Sequence, residues 1–486
     1  MSRARFLVAA WALLGCATVR ADPWLAPGDE GVRNDVQLLA DSGLLRGPVT
    51  TWPMSWPDIA RDALGAQIAG LDENTAAALL RVQRLARDAS TAGYAGSGLR
   101  VSGAHQPPQL RTFAASPREE GEVAIRAGWL GDHLALNLQG AYVIDPDDGK
   151  KFRADDSYVG INVGNFMISA GLMQRWWGPG WDGSLILSTN ARPIPTVTLE
   201  RNYTDPFKTK LLSWIGPWRA SIAVGEAESH DVAVAKVRFL AARVNFKPQP
   251  WLEFGLTRTA QWCGGNRECG WKTFTDLLVG RDNQVSGGGP AEEQPGNQMA
   301  GYDFRARSPW RALRLAVYSQ WIGEDEAGGL PAKFIGLFGL ETWGSNSLGG
   351  WRLRAEYADT ACNFTRQEPI YGCAYRNSLY PQGYAYRGRN IGHTIDNDSR
   401  MLTVAGLLTR VNGDVLSVAL RRVNVNRDGG AHPISDVPLD LDNVELRYSR
   451  VLGVGKIGVA IGFQDPATGV ESSSRVNTFV TWQQGF

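Results

Sequence analysis

Alternation between apolar and polar residues is the feature that most constrains the fold of this chain. From Gly93 onward, short stretches such as residues 133–139, 313–318 and 351–357 place an apolar residue at nearly every second position. Successive side chains of a β-strand point to opposite faces, so each stretch predicts a strand with one apolar and one polar face. Alternating stretches of about ten residues are typical of a transmembrane β-barrel. A soluble sandwich or propeller is the competing interpretation.

The C-terminus favours the barrel. One face of the last predicted strand runs to a final aromatic residue through Val476, Thr478, Val480, Trp482, Gln484 and Phe486. An aromatic last residue on an alternating strand resembles the assembly signal of bacterial outer-membrane barrels, although Gln484 interrupts the apolar face. We therefore expect Phe486 to lie on the periplasmic side.

Loop lengths also favour the barrel. Counting back from Phe486, tight turns at residues 452–455 and 412–414 alternate with longer connections at residues 425–440 and 360–399. Short periplasmic turns and long outer loops are typical of transmembrane barrels. The count predicts an antiparallel transmembrane barrel of about eighteen strands over residues 93–486.

The N-terminus predicts export. Arg3 and Arg5 precede an apolar run at residues 6–14, and small residues allow cleavage after Ala21. A lipoprotein interpretation, in which Cys16 becomes the lipidated first residue, is the alternative. We favour a cleaved signal peptide over residues 1–21.

A short helical region separates the signal from the barrel. Apolar residues recur at three- and four-residue steps within residues 31–40, which predicts an amphipathic helix. Ser55, followed by Pro57, is a helix start, and Asp72 opens a third segment. Residues 22–92 therefore predict a small bundle of three helices.

One stretch, residues 174–195, combines aromatic and charged residues with turn residues. Its candidate binding residues are Arg175, Trp176, Trp177, Trp181 and Asp182. Indole faces pack against the C–H faces of sugars, while arginine and carboxylate groups hydrogen-bond hydroxyls. A structural plug that wedges the loop into the barrel mouth is the competing interpretation, and the two are not exclusive.

A second polar stretch follows at residues 384–398. Arg387, Arg389 and His393 precede Asp396 and Asp398. These groups would bind an anionic sugar, or form a buried ion-pair network in a polar lumen. The acidic segment at residues 323–331 suits either Ca²⁺ or solvated charges on an outer turn, and we predict no metal site or cofactor.

Four cysteines remain once Cys16 is removed with the signal. The simplest pairing joins Cys263 to Cys269 and Cys362 to Cys373, and an exported chain allows disulfides. Their spacing does not match a zinc site.

Several function classes are disfavoured. With 50 Lys and Arg against 49 Asp and Glu, no basic excess supports nucleic-acid binding. His393 and Asp396, with Ser399 nearby, are a weak candidate triad because no strand-turn-helix elbow presents a serine. We predict that the protein is not an enzyme.

Together these stretches resemble the Wzi family of capsule-assembly outer-membrane proteins. The resemblance rests on residues 33–43 with 50–53, residues 174–195, residues 323–328 and residues 386–398, in that order along the mature chain. It implies an eighteen-stranded barrel with a periplasmic three-helix bundle and a lumen closed by loops. It also implies a lectin-like role in holding capsular polysaccharide.

We therefore predict an outer-membrane, lectin-like barrel that attaches capsular or exopolysaccharide at the bacterial surface. Its expected partners are that polymer, the lipid of the outer membrane and a periplasmic partner of the helical region. The alternative is a channel or conduit for solute or polymer. The two hypotheses differ in whether residues 175–195 and 360–399 fold into the lumen.

Overall fold

The computed structural model describes residues 22–227, 234–265, 269–278, 296–310, 312–327, 330–466 and 474–485. The predicted signal peptide, including Cys16, lies outside the described residues, and so does Phe486. Within the described ranges, a helical bundle precedes a closed antiparallel barrel.

The barrel has eighteen strands within the described residues, and its last strand pairs with its first. One strand is interrupted, because Phe152–Arg153 and Tyr158–Val163 both pair with the strand before them. The strands are β1 (Gly93–His105), β2 (Gly121–Leu130), β3 (Leu134–Ile144), β4 (Phe152–Arg153 with Tyr158–Val163), β5 (Phe166–Gly171), β6 (Thr196–Arg201), β7 (Trp218–Ala227), β8 (Val237–Gln249), β9 (Leu252–Trp262), β10 (Gly296–Arg307), β11 (Leu315–Ala327), β12 (Leu330–Asn346), β13 (Gly349–Asp359), β14 (Arg400–Thr409), β15 (Val415–Val425), β16 (Leu439–Leu452), β17 (Gly455–Pro466) and β18 (Arg475–Gln484). The predicted barrel is confirmed.

The alternation in sequence corresponds to the two faces of the barrel wall. In β13, Arg352, Arg354 and Glu356 are buried inside the barrel, whereas Leu353 between them is exposed on the outside. In water such an exposed leucine would be unfavourable, but facing lipid it is not. The wall therefore has an apolar outer surface and a charged lumen.

Connection lengths differ between the two ends of the barrel. Turns at residues 250–251, 347–348 and 453–454 lie at one end, which we call the turn end. The connection at residues 360–399 lies at the other, which we call the loop end. The predicted alternation of short and long connections is confirmed with two exceptions. The connection at residues 202–217 is long although it lies at the turn end, and at the loop end β12 begins at Leu330, only three positions after β11 ends at Ala327.

The acidic segment is not the outer turn that the sequence predicts. Residues 323–327 belong to β11, and Glu324 is buried and accepts a hydrogen bond from the backbone N–H of Tyr375. The side chains of Asp325 and Glu326 lie outside the described residues. The even-numbered side chains of β11 face the lumen, so Glu324 points inward and holds the loop that contains Tyr375.

The N-terminal bundle contains α1 (Glu30–Asp41), α2 (Trp56–Gly65) and α3 (Glu73–Ala89). Ser55 accepts a hydrogen bond from the N–H of Asp58, and Asp72 accepts one from the N–H of Thr75. These side chains satisfy backbone donors that a helix start leaves unpaired, so both predicted helix starts are confirmed. A fourth helix, α4 (Trp271–Leu278), lies in the connection between β9 and β10. None of the helices in the described ranges has the length and hydropathy needed to cross a membrane.

Charged contacts attach α1 to the turn end of the barrel. Asp41 pairs with Arg305 at 2.6 Å, and Asn34 accepts a hydrogen bond of 2.8 Å from Arg352. Asp29, the cap of α1, pairs with Lys456 at 2.6 Å. Because these partners lie on β10, β13 and β17, the helix is tied to separate parts of the wall and covers that end of the lumen.

Candidate functional site

The connection between β5 and β6, residues 172–195, lies inside the barrel, and we call it the tryptophan loop. Trp176 and Trp177 are fully buried and pair as a short strand with Thr51–Trp52 of the N-terminal region. The guanidinium of Arg33 in α1 donates hydrogen bonds to the carbonyls of Pro179 and Gly180, at 2.8 and 2.9 Å. The loop therefore extends from the loop end to the helical bundle.

A carboxylate on the barrel wall holds the tip of this loop. Glu356 accepts hydrogen bonds from the backbone N–H groups of Trp181, Asp182 and Gly183, at 2.7 to 3.0 Å. It also accepts one from the Tyr318 hydroxyl at 2.7 Å. Consecutive backbone donors around one carboxylate form an anion-binding turn, so the loop conformation and the wall charge support each other.

Asp182 forms the second charged contact of the tip. Its carboxylate oxygens lie 3.2 Å from Arg354 Nε and 2.8 Å from an Arg421 guanidinium nitrogen. All three side chains are buried. Charges removed from water are stable only when paired in good geometry, so Asp182 serves as the counter-ion of two wall arginines.

The indole of Trp181 lies among guanidinium groups. Arg33 is 4.1 Å from its ring centre, and Arg354 and Arg352 are 5.2 and 5.6 Å away. Cations at this distance from an aromatic ring are attracted to it. The ring is already covered by protein, as are Trp176 and Trp177, so we do not propose these three tryptophans as sugar-stacking residues.

Arg175 has the same internal role. It is buried, and its guanidinium donates to the Met173 carbonyl at 3.0 Å and to the Thr198 hydroxyl at 2.6 Å. The tryptophan loop therefore acts as a plug, the competing interpretation of this stretch, and its predicted site residues are not brought to a surface.

The connection between β13 and β14, residues 360–399, covers the tryptophan loop, and we call it the disulfide loop. The structure pairs Cys362 with Cys373 in this loop, and Cys263 with Cys269 after β9, as the sequence predicts. The Tyr375 hydroxyl donates to the Leu185 carbonyl at 2.6 Å, and the Tyr384 hydroxyl to that of Ile186 at 2.7 Å. The two loops therefore pack as one unit.

His393 is buried between these two loops. A Cβ atom added at Gly183 would lie 1.8 Å from its Nε2, so the ring packs against the loop backbone where only glycine fits. Its Nδ1 accepts a hydrogen bond of 3.3 Å from the N–H of Ile395. Burial lowers the pKa of His393 to about 4, although the Asp182 carboxylate acts in the opposite direction.

We expect acid to loosen this packing. His393 stays neutral in the folded protein, while in the unfolded chain it gains a proton below about pH 6.5. The unfolded state therefore binds more protons than the folded state between that pH and about pH 4. As the pH is lowered through this window, the free energy of unfolding falls by on the order of 3 kcal/mol. Thermal unfolding of the wild type should show this loss, and His393→Asn, which cannot gain the proton, should show less of it. The matched control is His105→Asn, because His105 is exposed.

His393 does not form a triad with Asp396 and Ser399. The Ser399 hydroxyl donates to the Asn397 carbonyl at 2.8 Å and lies 3.3 Å from the ring of His432, a different histidine. The Nδ1 of His432 accepts from the N–H of Ile434 rather than facing a carboxylate. An activated serine needs a base that is itself oriented by a third group, which this arrangement does not supply.

The loop end contains an open cleft of about 310 Å³, which we call the outer cleft. It lies where five connections meet, and its walls are mainly polar. The lining residues are Gln109, Arg118, Glu119, Asp147, Asp148, Asn190, Arg192, Arg387, Gly388, Arg389, Asn390, Thr394, Asp396, Pro433 and Ile434. It is therefore the part of the molecule where predicted binding residues meet a surface.

Two of the cleft arginines serve the protein itself. Arg118 donates to the carbonyls of Thr189, Asn190 and Ala191 at 2.6 to 2.9 Å. Arg192 pairs with Asp155 at 2.7 Å and also with Asp148. These contacts fix the upper end of the tryptophan loop and form a rigid floor for the cleft.

Arg387 and Arg389 lie at the rim of the cleft. They flank Gly388 at the tip of a hairpin formed by Ala385–Tyr386 and Arg389–Asn390, and both are half-buried. The Arg389 guanidinium donates to the Gln109 carbonyl at 3.3 Å and lies 3.8 Å from the Asp147 carboxylate, which is 76% exposed. This weak pairing leaves much of its charge facing the cleft, since exposed ion pairs are screened by water.

Sequence analysis predicts Asp396 as part of the polar stretch, but it misses Gln109, Arg118, Glu119 and Asp148, which also line the cleft. Arg118 and Glu119 belong to no predicted motif. Their only signal is polarity in a long connection. In the described ranges, no group of three His, Cys, Asp or Glu side chains is arranged to hold a metal ion.

Comparisons with known proteins agree with this geometry. The family profile described as capsule assembly protein Wzi matches residues 91–483. A Klebsiella pneumoniae protein, described as an uncharacterized 55.8 kDa protein in the cps region, is 30% identical over 350 residues, which are 70% of this chain and 66% of that protein. The match thus spans just under two thirds of the length of that relative.

A solved structure is similar over nearly the whole chain. It is described as Wzi, an outer membrane protein involved in group 1 capsule assembly in Escherichia coli and a carbohydrate-binding β-barrel. The TM-score is 0.82 at 25% identity, over 95% of this chain and 99% of that one. The likeness therefore includes the bundle as well as the barrel.

Proposed function

This chain belongs to the Wzi family of capsule assembly proteins, and from that premise we propose that its outer cleft holds exported polysaccharide at the bacterial surface. The protein is an outer-membrane barrel, and the barrel rule of short periplasmic turns supports an outward orientation of the loop end. The outer cleft would then face the medium, and the bundle would face the periplasm.

The observation that carries the proposal is the pair Arg387 and Arg389 at the rim of the cleft. Guanidinium groups form paired hydrogen bonds with carboxylates, so this rim favours a polymer that contains acidic sugars. Asn190, Asn390 and Thr394 line the same cleft, but they are buried and hydrogen-bonded to the protein, so we do not propose them as direct contacts. His393, which is buried, is not proposed as a direct contact.

We propose binding without catalysis. The described residues near the cleft supply charge and hydrogen bonds but no oriented serine and base, as the Ser399 contacts indicate. Each sugar contact is weak, so retention would depend on one long polymer meeting many copies of the barrel.

A conduit is the alternative, and the packing of the lumen disfavours it. Residues 175–195 are fixed inside the barrel by Glu356 and by the ion pairs of Asp182, and residues 360–399 pack on them through the hydroxyls of Tyr375 and Tyr384. At the turn end, α1 covers the lumen. A polymer would have to displace this whole assembly. A periplasmic partner of the bundle stays a proposal; it would meet the exposed apolar residues Leu64, Ile68 and Leu80.

The test is where the polymer goes in a deletion strain. We expect the total polysaccharide to stay constant while it moves from washed cells into the medium, and the wild-type gene supplied in trans should restore the cell-bound fraction. Accumulation of polymer inside the envelope would contradict the anchor and support the conduit.

A further inference from the structure

The long connection at the turn end, residues 202–217, carries an exposed apolar surface, and we call it the apolar loop. Its neighbours at this end are as short as residues 250–251 and 453–454, so the extra length does not serve to join strands. Leu211 is 81% exposed and Trp214 is 63% exposed. Large apolar side chains in such a position mark a contact surface.

Two contacts between aromatic rings hold this loop against the outer surface of the barrel. Phe207 stacks on Trp218 with ring centres 4.6 Å apart, and Trp214 meets Phe246 edge-on at 6.4 Å. Trp218 and Phe246 face outward, because side chains alternate along a strand and the next residues are buried in the lumen. Those buried neighbours are Arg219 and Asn245.

The loop continues a ring of aromatic residues on the lipid-facing wall. Phe246 stacks with Phe254 at 5.8 Å, and Phe254 lies 6.2 Å from Phe304, across β8, β9 and β10. Barrels carry such aromatic girdles where the hydrocarbon meets the headgroups. The apolar loop therefore lies at the height of the inner membrane interface.

The base of the loop is held firmly in this position. The Thr204 hydroxyl donates to Asp58 at 2.8 Å, and the Ser55 hydroxyl donates to Asn202 at 2.5 Å, which ties the loop to α2. At its other end Gly216 has φ +70°, and a Cβ there would lie 2.1 Å from the Lys247 carbonyl oxygen. The exposed residues are thus presented by a fixed scaffold.

We infer that the apolar loop binds phospholipid of the inner leaflet and prefers anionic headgroups. Leu211, Leu212 and Trp214 would enter the bilayer beside the girdle, as interfacial aromatic and aliphatic residues do. Lys208 and Lys210 are exposed on the same loop and would pair with lipid phosphates. Each lysine near an anionic surface strengthens binding about fivefold. A lipid surface fits better than a protein because the loop folds against the lipid-facing wall.

The first experiment measures the depth of the loop. Purified Leu211→Cys protein, labelled with a fluorophore, is placed in nanodiscs of phosphatidylethanolamine and phosphatidylglycerol that carry spin-labelled lipid. We expect strong quenching by a label near the headgroup. Val244→Cys on the lipid-facing wall should be quenched by a deep label, and Leu64→Cys on the bundle should not be quenched. If Leu211→Cys behaves like Leu64→Cys, the loop faces water, and a protein partner replaces lipid as the candidate.

The second experiment tests the headgroup preference. The charge reversal Lys208→Glu with Lys210→Glu should weaken retention of phosphatidylglycerol relative to phosphatidylethanolamine by about 25-fold or more, read by mass spectrometry of the lipids that copurify. The matched control is Lys150→Glu with Lys151→Glu at the loop end, where both residues are exposed. Equal retention in the two double variants would overturn the anionic preference.

Discussion

Replacing Asp182 with alanine is expected to destabilise the barrel by about 3–5 kcal/mol, the range for breaking one partner out of a buried charge network. Burial alone would raise the pKa of Asp182, but Arg354 and Arg421 hold it well below its usual range, so the carboxylate is charged. Its removal would leave Arg354 without an ion-pair partner among the described residues and would leave Arg421 with the more distant Glu445, at 3.6 Å. The measurement is the thermal midpoint of the heat-induced mobility shift of the folded barrel.

The matched control is Glu226→Ala. Glu226 lies 4.0 Å from Arg238, and their side chains are 40% and 51% exposed, so its loss should cost less than about 1 kcal/mol. Asp182→Asn should fall between the two, because the amide keeps the shape and can still accept a hydrogen bond. A midpoint for Asp182→Ala equal to that of Glu226→Ala would contradict the assigned role of Asp182 in the plug.

The wall of the barrel could be predicted because its pattern is local. In β13 the polarity of each residue predicts the face of the wall on which its side chain lies, with Arg354 inward and Leu353 outward. This prediction needs no knowledge of distant contacts. The alternation of short and long connections can be recognised from their lengths alone. The helix starts at Ser55 and Asp72 depend only on residues three positions away.

The direction of the tryptophan loop could not be predicted in the same way. Its sequence suits a surface or a plug equally, since aromatic and charged side chains occur in both. The decision depends on Glu356, Arg354 and Arg421, which are far from the loop in sequence and meet it only once the barrel closes. Asp182 meets its two arginine counter-ions only when the loop lies inside the lumen.

The outer cleft depends on long-range assembly for the same reason. Arg118, Asn190 and Arg389 come from three connections, and none has a spacing that predicts the others. Arg387 and Arg389 are predicted from the local density of charged residues. The same criterion also predicts His393, which lies close to them in sequence but is fully buried. Local composition therefore finds the segment but not the side chains that reach the surface.

Replacing Arg387 and Arg389 together with alanine is expected to release polysaccharide from the cell. Each lost charge-assisted hydrogen bond contributes about 1 kcal/mol or more, so binding of a single site to a purified acidic polysaccharide should fall at least about tenfold. Retention on cells should fall further, because avidity multiplies the loss over many copies. The measurements are the affinity of the purified protein and the polymer content of washed cells, with barrel abundance checked in the same membranes.

Two controls separate this role from a general effect of charge. Arg366→Ala with Arg238→Ala removes two exposed arginines that do not line the cleft, and it should leave retention unchanged. Arg387→Lys with Arg389→Lys keeps the charge but loses the paired geometry of guanidinium, so it should restore only part of the binding, and raised salt should remove that part. If cells with the double alanine variant keep all of their polysaccharide at normal barrel abundance, the outer cleft is not the polysaccharide-binding site. It would then direct the search to the other exposed surfaces of the loop end.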